Sequence, residues 1–235
     1  MRKPFLAAGT AALALGVAGI AYAQTPAPSI EATATVSPSK AGTKSKPKSE
    51  KLKLSVTNNR DSKTTAAKIT ITLPSTLKVS TRGLDVCKAS DDDLIASTSV
   101  CKKSIAGKGE AHALVNPFAA SPAEVEFKVT PIVGNKQILF VLNSPIAQAV
   151  LHGKISGKKL TIAITNELQQ PAPGTYSALL DLTTELSKKK GSKALISSVG
   201  CKSKKHKIGV SIGYVPNPNP PVSTSASGTA EAKCS

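Results

Sequence analysis

The chain has 235 residues and a formal net charge of +17, with 31 Lys and Arg against 14 Asp and Glu. Trp is absent, and the 4 Phe and 3 Tyr are too few for a core of aromatic side chains or for a platform on which bases or sugars stack. The core must therefore be built from Val, Ile, Leu and Ala, and the composition is that of a basic protein long enough to bury a sizeable core.

The first 23 residues have the three-part order of a cleavable secretory signal. Residues 2–3 are basic, residues 5–20 are uncharged and apolar, and residues 21–23 place Ala at both positions that a signal peptidase recognises. An uncleaved membrane anchor is the alternative, because the apolar stretch approaches the ~18 residues that can span a bilayer. We expect cleavage between Ala23 and Gln24, and no transmembrane span in the chain that remains.

The exported protein should therefore begin at Gln24. Loss of Arg2 and Lys3 with the signal would lower the net charge from +17 to +15. The intact mass of secreted protein tests this expectation, and a mass that still includes residues 1–23 would indicate a retained anchor instead.

Apolar and polar residues alternate along most of the remaining chain, which predicts strands with one face on a core and one face in water. The alternating segments are 30–36, 51–56, 67–73, 125–129, 160–164 and 208–214. Residues 138–142 are continuously apolar, as in a strand that is buried on both faces. Gly, Pro and Asn predict turns at residues 38–42, 58–59, 131–135, 171–174 and 216–221.

About ten to twelve short strands with regular turns predict an all-β fold, an antiparallel β-sandwich of immunoglobulin-like or related type. We expect an extended linker over residues 24–29 and a β-sandwich region over residues 30–235. This region forms one or two packed sandwich units, and a division would fall near residues 116–123.

One short helix is predicted near residues 91–97. Ser90 precedes Asp91, Asp92 and Asp93, the pattern of an N-cap followed by acids that interact favourably with the helix dipole. Calcium binding is the alternative, but consecutive acids do not match the spacing of a calcium loop. The sequence predicts a charged first helical turn, and it predicts no metal site and no cofactor.

All four cysteines follow the predicted signal, which in an exported protein predicts two disulfides. Three pairings can be drawn, and the spacing favours Cys87–Cys101 together with Cys201–Cys234. Zinc is the alternative, but the chain has no C-x2-C pair. A Cys201–Cys234 bridge requires the chain to fold back near residues 217–218. It also requires a bulge or a detour through residues 202–207, since a strict ladder would set Val210 opposite Ser225.

The chain contains no recognisable catalytic or nucleotide-binding motif. Residues 153–159 resemble a phosphate-binding loop, but they have three residues between the glycines where four are needed, and they predict a hairpin turn. His112, His152 and His206 share no metal-binding spacing, and neither G-x-S-x-G nor H-E-x-x-H occurs. The chain is therefore predicted not to be an enzyme. A secreted hydrolase whose site forms only in three dimensions is the least favoured alternative.

Lysine is concentrated in two stretches. Residues 40–53 contain six lysines and a single acid, Glu50. Eight more lysines occur between Glu185 and Glu231 with no acid among them: Lys188, Lys189, Lys190, Lys193, Lys202, Lys204, Lys205 and Lys207. These eight are candidate residues for binding a polyanion such as a wall polymer or an acidic glycan.

The alternative explanation of the lysines is a solvated surface that keeps the protein soluble and discourages pairing at strand edges. Sequence-specific recognition of nucleic acid is not predicted, because only Arg60 and Arg82 remain after the signal and Arg supplies most bidentate base contacts.

Several stretches resemble a group of uncharacterised exported proteins of actinobacterial type. They are residues 38–44 (PSKAGTK), Cys87 followed by residues 101–111 (CKKSIAGKGEA), and the later cysteines Cys201 and Cys234. More distantly, residues 65–74 (TAAKITITLP) are similar to strands of bacterial surface domains with immunoglobulin-like sandwiches. Both resemblances imply a sandwich in the cell envelope or the medium, and neither implies active-site residues.

The sequence as a whole predicts an exported, non-catalytic structural or interaction protein of the cell envelope or extracellular space. A polyanion-binding surface protein is the main alternative. A clustered lysine face would favour the second hypothesis, and a concave pocket with His beside Ser or a carboxylate would favour a hydrolase.

Overall fold

A computed structural model describes residues 26–218 and 223–235. The predicted signal segment and its cleavage position between Ala23 and Gln24 lie outside the described residues. Residues 26–29 lead without regular structure into the first strand. The described chain is mostly antiparallel β-structure with short helices, so the predicted all-β, sandwich-like fold is confirmed.

Fifteen strands follow one another along the described chain, most of them joined by short turns. They are β1 Ile30–Ser37, β2 Lys48–Asn58, β3 Thr65–Thr72, β4 Leu77–Val79, β5 Gly107–Val115, β6 Ala123–Gly134, β7 Gln137–Asn143, β8 Gln148–Ser156, β9 Lys159–Ala163, β10 Ser177–Leu186, β11 Lys189–Lys190, β12 Lys193–Ala194, β13 Ile196–Ser198, β14 Lys205–Val215 and β15 Ser225–Lys233. The helices are α1 Asp91–Ala96 and α2 Asn166–Gln169, with 3-10 turns at Arg60–Ser62 and Thr98–Ser104. None of the described helices is long and apolar enough to cross a bilayer.

Thirteen of the strands form one sheet in the order β15-β14-β3-β9-β8-β7-β6-β5-β10-β2-β13-β4, with β1 paired on β2. β11 and β12 form a separate hairpin. The sheet folds over on itself, because inward residues of strands far apart in this order, such as Ile69 of β3 and Leu186 of β10, belong to one apolar core. β1 also passes β15, where a Cβ added to Gly228 would lie 3.2 Å from the carbonyl oxygen of Ile30.

The continuous apolar run at residues 138–142 is buried on both faces, as the sequence predicted. Its even-numbered residues face the main core. The odd-numbered residues Leu139 and Val141 form a second cluster with Leu94 of α1 and with the half-cystines Cys87 and Cys101. The segment between the two half-cystines therefore covers the outer face of β7, which explains why the run does not alternate.

The predicted helix is present as α1, and Ser90 is its N-cap. The Ser90 hydroxyl accepts a hydrogen bond from the backbone N–H of Asp93 at 3.2 Å, and the Asp93 carboxylate accepts one from the backbone N–H of Ser90 at 3.0 Å. Hydrogen bonds from the side chain and backbone of Ser90 hold the pKa of Asp93 below its usual value. A reciprocal cap of this kind fixes where a short helix begins, and the Cys87–Cys101 disulfide links the two ends of the segment that contains it.

One predicted turn is wrong. Residues 131–135 were expected to leave the sheet, yet β6 continues through Pro131 to Gly134, and the turn comes at Lys136 with φ of 54°. The carbonyl of Pro131 accepts a hydrogen bond from the N–H of Ala106. The proline nitrogen therefore faces the same side, where the regular ladder with β5 has already ended. A strand tolerates proline at such a place because the missing N–H would have no ladder partner.

Two other stretches singled out in the sequence are hairpin connections. β8 and β9 pair on either side of residues 157–158, where Gly157 has φ of 58°, so the segment that resembled a phosphate loop is the predicted hairpin turn. Residues 116–122 connect β5 to β6, which pair with each other along their length.

Candidate polyanion-binding site

β14 and β15 form the predicted hairpin, and the Cys201–Cys234 disulfide closes its open end with a Cα–Cα distance of 5.9 Å. The ladder between the two strands is regular and places Val210 opposite Gly228. If this ladder continued without interruption, Cys201 would not lie opposite Cys234. A turn at residues 202–204, with φ of 54° and 56° at its last two positions, brings the two cysteines together. The structure confirms the predicted pairing and the predicted detour.

The loop between β1 and β2, residues 38–47, lies against residues 234–235. The backbone N–H of Ala41 donates to the carbonyl of Ser235 at 2.7 Å. The N–H of Ser235 donates in turn to the carbonyl of Ser39 at 2.8 Å. The two bonds run in opposite directions between the same segments, so they hold the loop beside the last residues of the hairpin.

Residues 234–235 also contact the 202–204 turn. The N–H of Cys234 donates to the carbonyl of Lys204 at 3.0 Å, and the disulfide joins the same segments covalently. Residues 234–235 thus touch the 38–47 loop and the 202–204 turn at once. The first lysine stretch and part of the second therefore meet around them.

Five lysines on these segments are exposed, as is Lys233, the last residue of β15. We call them the lysine surface: Lys40, Lys44, Lys46, Lys202, Lys204 and Lys233. Across the described ranges, none of the six forms an ion pair with an acid. The surface is therefore a local excess of positive charge, and the field of such a cluster attracts anions.

Two acids that are close in sequence to this surface do little to neutralise it. Glu231 is engaged by Lys205 at 2.5 Å and by Lys207 at 3.8 Å, and the hydrogen bond from Lys205 lowers the pKa of Glu231. Glu50, the acid of the first lysine stretch, is only 2% exposed. Burial raises the pKa of Glu50 to about 7, an effect that the positive charge of Lys48 partly opposes.

The other four predicted lysines belong to or adjoin a separate two-stranded sheet. Lys188, Lys189, Lys190 and Lys193 lie on or beside the β11–β12 hairpin. Lys190 pairs with Asp85 at 2.5 Å, and the hydrogen bond from Lys190 lowers the pKa of the Asp85 carboxyl. The eight predicted residues are thus divided into a hairpin group and a group around the second disulfide.

Sequence reasoning did not place Lys40, Lys44, Lys46 and Lys233 in the candidate site. The first three belong to a stretch whose richness in lysine was recognised, but its position beside the 202–204 turn depends on main-chain bonds between distant segments. The predicted Cys201–Cys234 bridge was the one sequence signal for part of this arrangement, since it brings Lys233 close to Lys202.

Two histidines pair with carboxylates, as in a catalytic dyad. His112 Nδ1 lies 2.8 Å from Asp181 on the neighbouring strand, and that hydrogen bond raises the pKa of His112. His152 lines a surface pocket and contacts Asp91 through Nε2 at 3.0 Å and Gln137 through Nδ1 at 3.3 Å. In the described part of the chain, no hydroxyl or thiol is hydrogen-bonded to either ring, so neither pair has the nucleophile of a triad.

The third histidine, His206, is buried and hydrogen-bonded within the fold. His206 is 1% exposed, and its Nδ1 lies 2.8 Å from the hydroxyl of Thr76. Burial lowers its pKa, which favours the neutral ring. Residues 26–218 and 223–235 contain no group of three or more His, Cys, Asp or Glu side chains that could hold a metal ion.

Comparison with known proteins adds no assignment. No family model matches the chain, and no curated protein matches it.

Proposed function

We propose that the protein is an exported, non-catalytic interaction protein that binds an anionic polymer of the cell envelope or extracellular space through the lysine surface. The convergence of two lysine stretches that are distant in sequence supports this proposal most strongly. The two disulfides support export, because such bonds persist in oxidising compartments.

The chemistry of the surface favours a repetitive anion over a single small one. Six unpaired ammonium groups on neighbouring segments repel one another and attract counterions. A polymer with regularly spaced phosphates, sulfates or carboxylates releases those counterions when it binds, which makes association favourable and sensitive to salt. Lysine is a flexible point charge, so it suits a polymer whose groups need no bidentate recognition.

A surface that only solvates the protein is the competing explanation, and charge-matched variants separate the two. The test variant carries Gln at Lys44, Lys46, Lys204 and Lys233. The control carries Gln at Lys68, Lys128, Lys136 and Lys154, which are exposed and lie outside the lysine surface. Both variants lose the same net charge.

Binding to heparin and to teichoic acid should depend steeply on salt. The test variant should lower the slope of log affinity against log salt by about 3, because roughly 0.7–0.9 of a counterion is released for each phosphate contact in nucleic acids. The control should change the slope by less than about 1. Equal losses in the two variants would mean that net charge alone drives retention, and the lysine surface would then be only a solvated face.

A third variant with Gln at Lys188, Lys189 and Lys193 tests the hairpin group. We expect a smaller loss per lysine than at the lysine surface, since that hairpin lies beside Asp85. A larger loss would move the binding site to the β11–β12 hairpin.

A further inference from the structure

The folded-over sheet encloses an apolar cavity of about 170 Å³ on the inner faces of seven strands. Its walls are almost entirely aliphatic and aromatic, and they include Ile69, Phe127, Phe140, Leu151, Ile162 and Leu182. An engineered apolar cavity of about 150 Å³ binds benzene in another protein. This cavity is therefore large enough for an apolar group of roughly six to eight carbon atoms.

The cavity exists because small side chains occupy inward positions of a central strand. Ala111 and Ala113 of β5 line the cavity at alternate positions that would hold Val or Leu in a filled core. Ala111 lies between two large residues on the neighbouring strands, Phe127 of β6 and Leu182 of β10. Unfilled apolar space lowers stability, and an apolar ligand in the cavity would restore the missing contacts.

The cavity opens towards solvent at a rim formed by α2 and the turn before β8. Leu168 of α2 lines the cavity, and the Ser177 hydroxyl donates to its carbonyl. Ile146 lines the other side of the rim and is 72% exposed. Within the described ranges only one other large apolar residue is exposed, Val100. An apolar side chain in water at the entrance marks a path for an apolar ligand.

Among the described residues, a single charged side chain lines the cavity, that of the exposed Glu167 of α2. Hydrogen bonds from its own backbone N–H and from the Thr165 hydroxyl lower the pKa of the Glu167 carboxyl, so the group is an anion at neutral pH. A negative rim on a strongly positive protein favours a ligand with a cationic head and disfavours a fatty acid.

We infer that the cavity binds the alkyl chain of a cationic amphiphile, with the chain among the apolar walls and the ammonium head beside Glu167. This site is separate from the lysine surface. It takes the opposite charge and recognises its ligand mainly by burial of hydrocarbon.

Three probes of equal chain length test the inference: octylamine, octanol and octanoate, titrated calorimetrically at about 0.15 M salt, where fields beyond roughly 8 Å are screened. Octylamine should bind about five- to tenfold more tightly than octanoate, as expected for one exposed ion pair gained and one repulsion avoided, with octanol between them. Glu167→Gln should bring the three affinities to within about twofold. This residue is exposed, so its substitution leaves core packing intact.

Filling the cavity should abolish the site. Ala113→Leu should weaken binding of all three probes at least about tenfold, while Ala163→Leu, at an exposed position on β9, should leave it unchanged. Thermal unfolding of each variant verifies that it is folded. Absence of binding by every probe, or binding that survives a folded Ala113→Leu protein, would overturn the site, and tightest binding of octanoate would overturn the cationic ligand. The four-lysine test variant should retain octylamine binding, so this inference and the proposed function fail independently.

Discussion

Replacement of Glu50 by Gln should increase the stability of the protein at pH 8. At pH 5 the variant and the wild type should differ much less in this direction. Glu50 is 2% exposed on the inward face of β2, and neither carboxylate oxygen has a hydrogen-bond partner within the described residues. Burial raises its pKa from 4.5 to about 7. An ionised carboxylate in this place is costly because burial removes it from bulk solvent, and no donor among the described residues compensates for that loss.

The sign follows from proton binding. Between pH 4.5 and about 7 the folded protein binds a proton at Glu50 that the unfolded chain has released, so stability falls as pH rises through this range. The full shift corresponds to a loss of roughly 3 kcal/mol once the pH exceeds the pKa of the folded state. Gln carries no charge at any pH, so the variant lacks this loss.

Urea unfolding of both proteins at pH 5 and pH 8 measures the effect. The difference in free energy of unfolding, variant minus wild type, should increase by about 1–3 kcal/mol between the two pH values. The comparison cancels His112 and His206, which titrate in both proteins, as well as any packing cost of the amide. A difference that is the same at both pH values would show that Glu50 is ionised in the folded state without penalty.

Removal of the Cys201–Cys234 disulfide should weaken both stability and polymer binding. The double variant Cys201→Ser, Cys234→Ser frees a segment of 33 residues, worth about 4 kcal/mol in the chain-entropy model. It also loosens residues 234–235, which hold the 38–47 loop beside the 202–204 turn. Lysines on segments that move independently bind one polymer chain less cooperatively, because the effective concentration of each for the bound chain is lower. We therefore expect roughly tenfold weaker heparin binding.

The first disulfide provides a matched control. The double variant Cys87→Ser, Cys101→Ser frees 14 residues and should lose about 3 kcal/mol in the same model, with heparin binding unchanged when both variants are kept folded. Equal weakening of heparin binding by the two variants would show that the Cys201–Cys234 disulfide has no specific role in positioning the lysine surface.

Most of the local structure of this protein can be predicted from its sequence. The alternation of apolar and polar residues predicted which side chains of β1, β2 and β14 are buried, because successive side chains of a strand point to opposite faces. The apolar run at residues 138–142 indicated a second covering layer, although not that α1 and the Cys87–Cys101 disulfide supply it. Pro131 misled the prediction because proline ends a strand only where its N–H would have been needed.

The candidate sites were less predictable, because they depend on contacts between distant segments. The lysine composition of residues 40–53 was evident, but the bonds of Ser39 and Ala41 to Ser235 leave no local pattern. The apolar cavity was not anticipated either. In the sequence, Ala111 and Ala113 look like ordinary inward positions of a strand. Only the fold reveals that no side chain of the described residues fills the space beside them.

Lysine footprinting with a bound polymer tests the proposed function most directly. The purified protein, with or without heparin or teichoic acid, is briefly acetylated, and mass spectrometry measures the modification rate at each lysine. The lysine surface should be protected: Lys40, Lys44, Lys46, Lys202, Lys204 and Lys233. The control positions Lys68, Lys128, Lys136 and Lys154 should react at their free rates. Uniform protection of both sets, or none at the lysine surface, would contradict a polyanion-binding site around the Cys201–Cys234 disulfide.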